Sequence, residues 1–265
     1  SSNIYNEFLE RYIGIQADYL KNESIKDSFL DAKINRWYSI KEKEFKNLDK
    51  FHALANEQII VWLNRFFFTN YLKFFNENAI LINKLDHKYS INQGLDLFEE
   101  ISQKCGFTHI YRESLGSKVI SEDLWSALVE LNKLLIQIDF EDYADNLEEI
   151  IISALEFASK KTAGQFVTPI PLAEYLVSIT VRNRNENVID PCCGTGTIAK
   201  KAYDLKKDSG VSIKKAMNTI WACDLFSSPL QLSTIRLFEP RCIQESVQVF
   251  QDDEGKVFET GNVIF

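Results

Sequence analysis

Several things are scarce in this 265-residue chain, and each scarcity removes a class of function. No stretch approaches the ~18 uninterrupted apolar residues that cross a bilayer. The Ser1-Ser2-Asn3 start has no basic segment leading into an apolar one, so neither a membrane span nor a secretory leader is expected, and a cytoplasmic protein is the default reading. The five cysteines, Cys105, Cys192, Cys193, Cys223 and Cys242, are odd in number and form no C-x-x-C pair, which argues against a zinc knuckle or a disulfide framework and for reduced thiols. The three histidines, His52, His87 and His109, all fall in the first half, so a cysteine-nucleophile hydrolase has no base near Cys192 or Cys193. With 10 glycines and 5 prolines, the chain has the composition of neither a disordered segment nor a fibrous repeat.

An excess of positive charge is also missing. Residues 1–50 carry 9 basic and 9 acidic groups, residues 51–150 carry 8 and 16, and residues 151–265 carry 13 and 13, so the net charge of -8 resides in the middle of the chain. A protein that neutralises many phosphates unaided normally concentrates basic side chains, and this one does not.

What is present divides near residue 160. The first part has almost no strand signal. Phe51 to Phe75, Asp123 to Ile138 and Asp145 to Lys160 each show the i, i+3, i+4, i+7 apolar recurrence of a helix with one buried face. The stretch VWLNRFFFTNYLKFF, with Trp62, Phe66, Phe67, Phe68, Tyr71, Phe74 and Phe75, lacks the basic and glycine-rich surroundings of a single-strand binder and is read as core. Residues 86–121 are broken by Gly94, Gly106 and Gly116, and the segment FTHIY fits a small hairpin or irregular turns. Asp145 with Glu148 forms a capping box for the third helix.

After Lys160, strand and helix alternate. Pro169 and Pro171 suit a first helical turn, and Leu172, Tyr175, Leu176 and Ile179 form the apolar stripe expected to be that helix's buried side. Strands are expected at NVID, TIWACD and SVQVFQDD, separated by helices at Ile198 to Leu205, Ser212 to Met217 and Pro229 to Phe238, with GNVIF a further strand candidate. Such alternation predicts a parallel sheet with right-handed crossovers.

The sharpest local feature is Asp190-Pro191-Cys192-Cys193-Gly194-Thr195-Gly196-Thr197 at the end of the first strand. Gly194 and Gly196 permit a tight turn and close approach of the backbone to a ligand. A phosphate-binding Walker loop needs Lys and Ser or Thr after the glycines, whereas Thr197 and Ile198 stand there. A dinucleotide fingerprint stays open, because Ala199 is tolerated in place of its third glycine. Asp190 discriminates between ligands, since a carboxylate ahead of the loop repels a pyrophosphate and suits a cationic amine. Asp224, closing the second strand, is placed to receive ribose hydroxyls, Asp252 after the third strand to accept from an adenine amine, and Leu225 with Phe226 to support a purine. Amine, ribose and adenine are the polar parts of S-adenosyl-L-methionine. Each acid also has a plainer reading: Asp190 as a turn cap, Asp224 as a solvated loop residue, and Asp252 as part of a charged turn.

AGQFVTP at 163–169, VIDPCCGTGT at 188–197 and WACDL at 221–225, in that order, resemble the N6-adenine DNA methyltransferases of the modification-subunit type found in type I restriction systems. The resemblance covers residues 140–253 and is only architectural before that. It implies an α/β chain: a helical N-terminal domain at 1–160 followed at 161–265 by part of a Rossmann-like S-adenosylmethionine-dependent methyltransferase domain. Carried across residue by residue, it places Phe166 and Thr168 over the methionine end of S-adenosyl-L-methionine and Asp190, Gly194 and Gly196 in the methionine-binding loop. It gives Asp224 the ribose and Asp252 the adenine. Cys192 replaces the usual alanine and Thr197 a frequent glycine, both small enough for the cofactor. The implied substrate is double-stranded DNA and the implied partners are specificity and restriction subunits, with no metal and no membrane.

One family element is absent. No Asn-Pro-Pro occurs in the sequence, and in the family that motif, followed by an aromatic residue, orients and stacks the flipped adenine. No catalytic residue is therefore assigned, and the chain is expected to be part of a larger domain. The competing readings are a non-catalytic assembly or S-adenosylmethionine-binding fragment and a nucleotide-dependent oxidoreductase.

Overall fold

The protein is described by a computed structural model at residues 4–42, 45, 48–111, 115, 119–139, 168–224, 227–239 and 248–251. The chain divides into two units, Ser1–Gln165 and Phe166–Phe265. The expected domain boundary at 160/161, the helix expected at 145–160 and the strand expected at GNVIF lie outside the described residues.

Every described element of the first unit is helical: α1 (Ile4–Lys26), α2 (Ser28–Lys41), α3 (Lys50–Leu72), a 3-10 segment (Glu77–Lys84), α4 (Ile91–Cys105), α5 (Thr108–Tyr111) and α6 (Glu122–Ile136). Oxygen-bearing side chains start the helices by occupying the free amides of the first turn. Asp27 accepts from the Phe29 and Leu30 amides, Asp49 from Phe51 and His52, and Ser90 forms a capping box with Gln93. Helix α3 is buried almost all round, as befits the centre of a bundle. Trp62, Phe66, Phe98 and Trp125 meet edge to face inside it, which is the core role expected of the aromatic stretch.

The structure resolves two local expectations. Gly94 does not break the chain but lies within α4, where a Cβ would come within 2.1 Å of the Trp125 ring; the glycine is there to admit the indole. The FTHIY segment is no hairpin, since Phe107 (φ 60°) leads into the single turn of α5. Helices α1 and α2 carry little apolar periodicity, whereas α4 has it at Ile91, Leu95, Leu97, Phe98 and Ile101 and went unrecognised because Gly94 reads as a break.

The second unit is a small open parallel sheet with helices, a partial Rossmann-like fold. Its order is α7 (Ile170–Thr180), β1 (Val188–Asp190), α8 (Thr197–Asp208), α9 (Ile213–Asn218), β2 (Ile220–Asp224), α10 (Ser227–Arg236) and β3 (Gln248–Gln251). The sheet runs β1-β2-β3, with Ile189 beside Trp221 and Asp224 beside Gln251. Ile220 and Ala222, two apart and so on one face, pack with Val177 of α7, Ala199 and Ala202 of α8, Leu230 of α10 and Leu237 just after it. Most of the apolar stripe assigned to α7 faces outward: Leu172, Tyr175 and Ile179 are exposed and Leu176 is half-buried, whereas Ala173 and Val177 are buried. Small side chains let α7 lie close to α8, and the larger ones turn outward.

Candidate ligand site at the end of the first strand

Parallel strands bring their carboxyl ends to one edge, and the loop between β1 and α8 lies there. Asp190 is the last residue of β1 and Asp224 the last of β2, and both are buried, at 8% and 9% exposure. The loop turns on two residues in the left-handed region, Gly194 (φ 52°) and Gly196 (φ 78°), a conformation that a Cβ disfavours. It is tied to β2 twice. The Cys193 amide donates to the Cys223 carbonyl at 2.8 Å, and the Gly194 amide donates to Asp224 Oδ2 at 2.8 Å.

Asp190 Oδ1 accepts from the Cys192 amide at 3.3 Å, while Oδ2 is buried and has no hydrogen-bond partner among the described residues. Burial first, and then the neighbouring Asp224 carboxylate, raise the Asp190 carboxyl above its usual range, against the pull of the Cys192 amide. Burial likewise pushes the Cys193 thiol far up, with Asp224 adding to the effect, so Cys193 is a packed, inert thiol. Cys192 is exposed, and Cys105, Cys192, Cys193 and Cys223 are all free thiols. A buried carboxylate with an orphaned oxygen beside a second carboxylate favours a cation that can also donate hydrogen bonds.

Of the residues singled out in the sequence, the structure brings Asp190, Cys192, Gly194 and Asp224 together. Gly196 ends the same loop in a role different from the expected one. A Cβ there would meet Ser233 Oγ at 2.5 Å, so the close approach is to the protein itself; at Gly194 a Cβ would meet no described residue within 4 Å other than its chain neighbours. Thr168 is half-buried just before α7. Phe166, Leu225 and Asp252 lie outside the described residues. Sequence reasoning missed Ser233 and also Arg236, whose Nη1 donates to Thr197 Oγ1 at 2.6 Å. No local motif marks either residue, since both reach the loop from a helix beyond β2. Among the described residues no three acidic, histidine or cysteine side chains form a metal-holding group, and no helix is long and apolar enough to cross a membrane.

Residues 141–254 match the N-6 DNA Methylase family, a family-level link that contains the loop and both acids. The fold is similar to that of a nuclease-deletion mutant of the Type ISP restriction-modification enzyme LlaGI, solved in complex with a DNA substrate mimic, at a TM-score of 0.51 and 15% identity over 100% of this chain and 22% of that one. A modification subunit of a putative type I restriction enzyme from Vibrio vulnificus matches with a TM-score of 0.47 and 16% identity, over 85% of this chain and 55% of that one. The chain thus spans about a fifth of the first of these proteins and about half of the second.

Proposed function

Proceeding from the family-level link to the N-6 DNA methylases, we propose that this chain carries the S-adenosyl-L-methionine seat of a DNA adenine-N6 methyltransferase, the modification subunit of a restriction-modification system. The observation that carries the reading is the buried, unpartnered Oδ2 of Asp190 at the mouth of a left-handed glycine loop. An ammonium group satisfies that oxygen and neutralises the pair of acids; a pyrophosphate does neither.

Asp190 holds the methionine amine, and the Gly194 turn leaves room above the loop for the rest of that end. Asp224 has one oxygen on the Gly194 amide and so carries the ribose hydroxyls in register with the loop. Asp252 and Leu225, from their places after the third and second strands, would take the adenine amine and one side of the purine, and Phe166 with Thr168 would cover the methionine end, an assignment that rests on the resemblance. The sulfonium supplies an electrophilic methyl group when the cofactor is bound, so the protein's task is alignment and exclusion of water rather than acid-base chemistry. The residues that would grip the adenine are not assigned, because no Asn-Pro-Pro stands in the sequence. That same feature favours a second reading, adenosyl binding without transfer by these residues alone. Double-stranded DNA as substrate, specificity and restriction subunits as partners, and a cytoplasmic location belong to the whole protein in this proposal.

Equilibrium calorimetry tests the seat. S-adenosylmethionine and S-adenosylhomocysteine should both bind and NAD should not, and Asp224→Ala should weaken the adenosyl compounds by about 1.5–3 kcal/mol, the scale of charge-assisted hydrogen bonds. Tight NAD binding with no response to either adenosyl compound would sink the proposal in favour of an oxidoreductase.

A further inference from the structure

The glycine loop has an open side and a closed side. On the open side stands Gly194, where a Cβ would have no described residue within 4 Å other than its chain neighbours. The closed side is formed by α10. Ser233 is fully buried there, and its Oγ, Cα and Cβ would lie 2.5, 3.3 and 3.3 Å from a Cβ placed on Gly196. The same hydroxyl is 3.8 Å from Cys193 Sγ, a contact between residues 40 apart in sequence. Arg236, three residues on and therefore on the same helix face, grips Thr197, the first residue of α8. One face of α10 thus touches residues 193, 196 and 197, which bracket Gly194, while β2 fixes the amides of 193 and 194 from the other direction.

We propose that Ser233 is a positioning residue for the ligand loop: it never meets the ligand, and it holds the Gly196 turn and Cys193 so that Gly194 and Asp190 face the adenosyl compound. A small side chain is required at 233 because the Gly196 backbone lies directly against it; any larger residue must push the turn outward. The identity of the ligand rests on the proposed function above, whereas the coupling between Ser233 and Gly196 does not.

The test is a four-protein cycle in the full chain: wild type, Gly196→Ala, Ser233→Gly and the double variant. S-adenosylmethionine affinity is measured by calorimetry, loop amide exchange is measured without ligand, and thermal midpoints are taken alongside. Gly196→Ala should weaken binding about tenfold or more, combining left-handed strain with the clash against Ser233. Adding Ser233→Gly should restore about threefold to fivefold of that loss by vacating the space, leaving the strain. Strictly additive losses in the double variant, with binding intact in wild type, would overturn the positioning role and leave the adenosyl seat standing. If wild type binds neither adenosyl compound, the functional reading fails. Exchange protection of residues 193–197 then decides the coupling: recovery in the double variant upholds it and additivity refutes it.

Discussion

In the helical unit Gln16, Asn64, Thr69, Asn70 and Asn132 lie deep inside, and each meets a side chain or carbonyl from another element. In the sheet unit Asp190 lies nearly as deep with one oxygen unpartnered and a second carboxylate as neighbour. The first arrangement stabilises a fold, because each of these five buried side chains is satisfied within the chain. The second costs free energy in the protein alone, and in the proposed function a cationic group of the ligand offsets that cost. Asn56 Nδ2 in the helical unit is also unpartnered, yet it belongs to a neutral amide with no second acid to compound the cost. The contrast therefore lies in charge as well as in missing bonds.

The comparison can be broken most forcefully in the helical unit. Phe66→Ala removes a ring from the centre of the aromatic cluster and should cost about 3–5 kcal/mol in urea unfolding; a loss under about 1 kcal/mol would mean that the cluster is not the core it looks like. Asp190→Asn should act in opposite senses on ligand and fold. It should weaken S-adenosylmethionine by about 2–4 kcal/mol, yet raise the thermal midpoint of the ligand-free protein by about 2–4 °C, because a buried charge beside Asp224 is gone. A variant that loses both affinity and stability would make Asp190 a structural residue like those of the helical unit.

The pH dependence sharpens the same contrast. The folded chain holds the Asp190 proton more tightly than the unfolded chain does. This group's contribution to stability is therefore complete below the usual carboxylate range, declines as pH rises through the raised value, and is level above it. Thermal midpoints of the ligand-free protein between about pH 4 and 7 should show that decline, and Asp190→Asn should flatten it. The smallest effect is expected on α7, where Tyr175→Ser should change stability by no more than about 0.5 kcal/mol, since Tyr175 is 62% exposed. A large loss there would show that the outward stripe is covered.

Helices α3 and α6 were legible in the sequence because their apolar residues recur strongly, and the three strands because short apolar runs end in acids or turn residues. Helices α1 and α2 were not, because their apolar and polar positions are mixed and burial arises from packing on α3. Helix α4 was concealed by Gly94, which reads as a break until Trp125 is seen lying on it. The direction of α7 failed for a related reason: apolar size suggests burial, but close contact with another helix selects small side chains.

In the site, the order of Asp190, the glycines and Asp224 along the chain was sufficient to place them together, because parallel strands deliver their carboxyl ends to one edge. The sequence by itself therefore determined that Asp190, the two glycines and Asp224 meet at one strand edge and what charge they bring there. Only the tertiary structure decided that Asp224 is bonded to the loop amide, that Asp190 keeps an orphaned oxygen, and that Gly196 is small on account of Ser233. Those are distances between segments remote in sequence, and they depend on how α10 seats against the loop rather than on any local spacing.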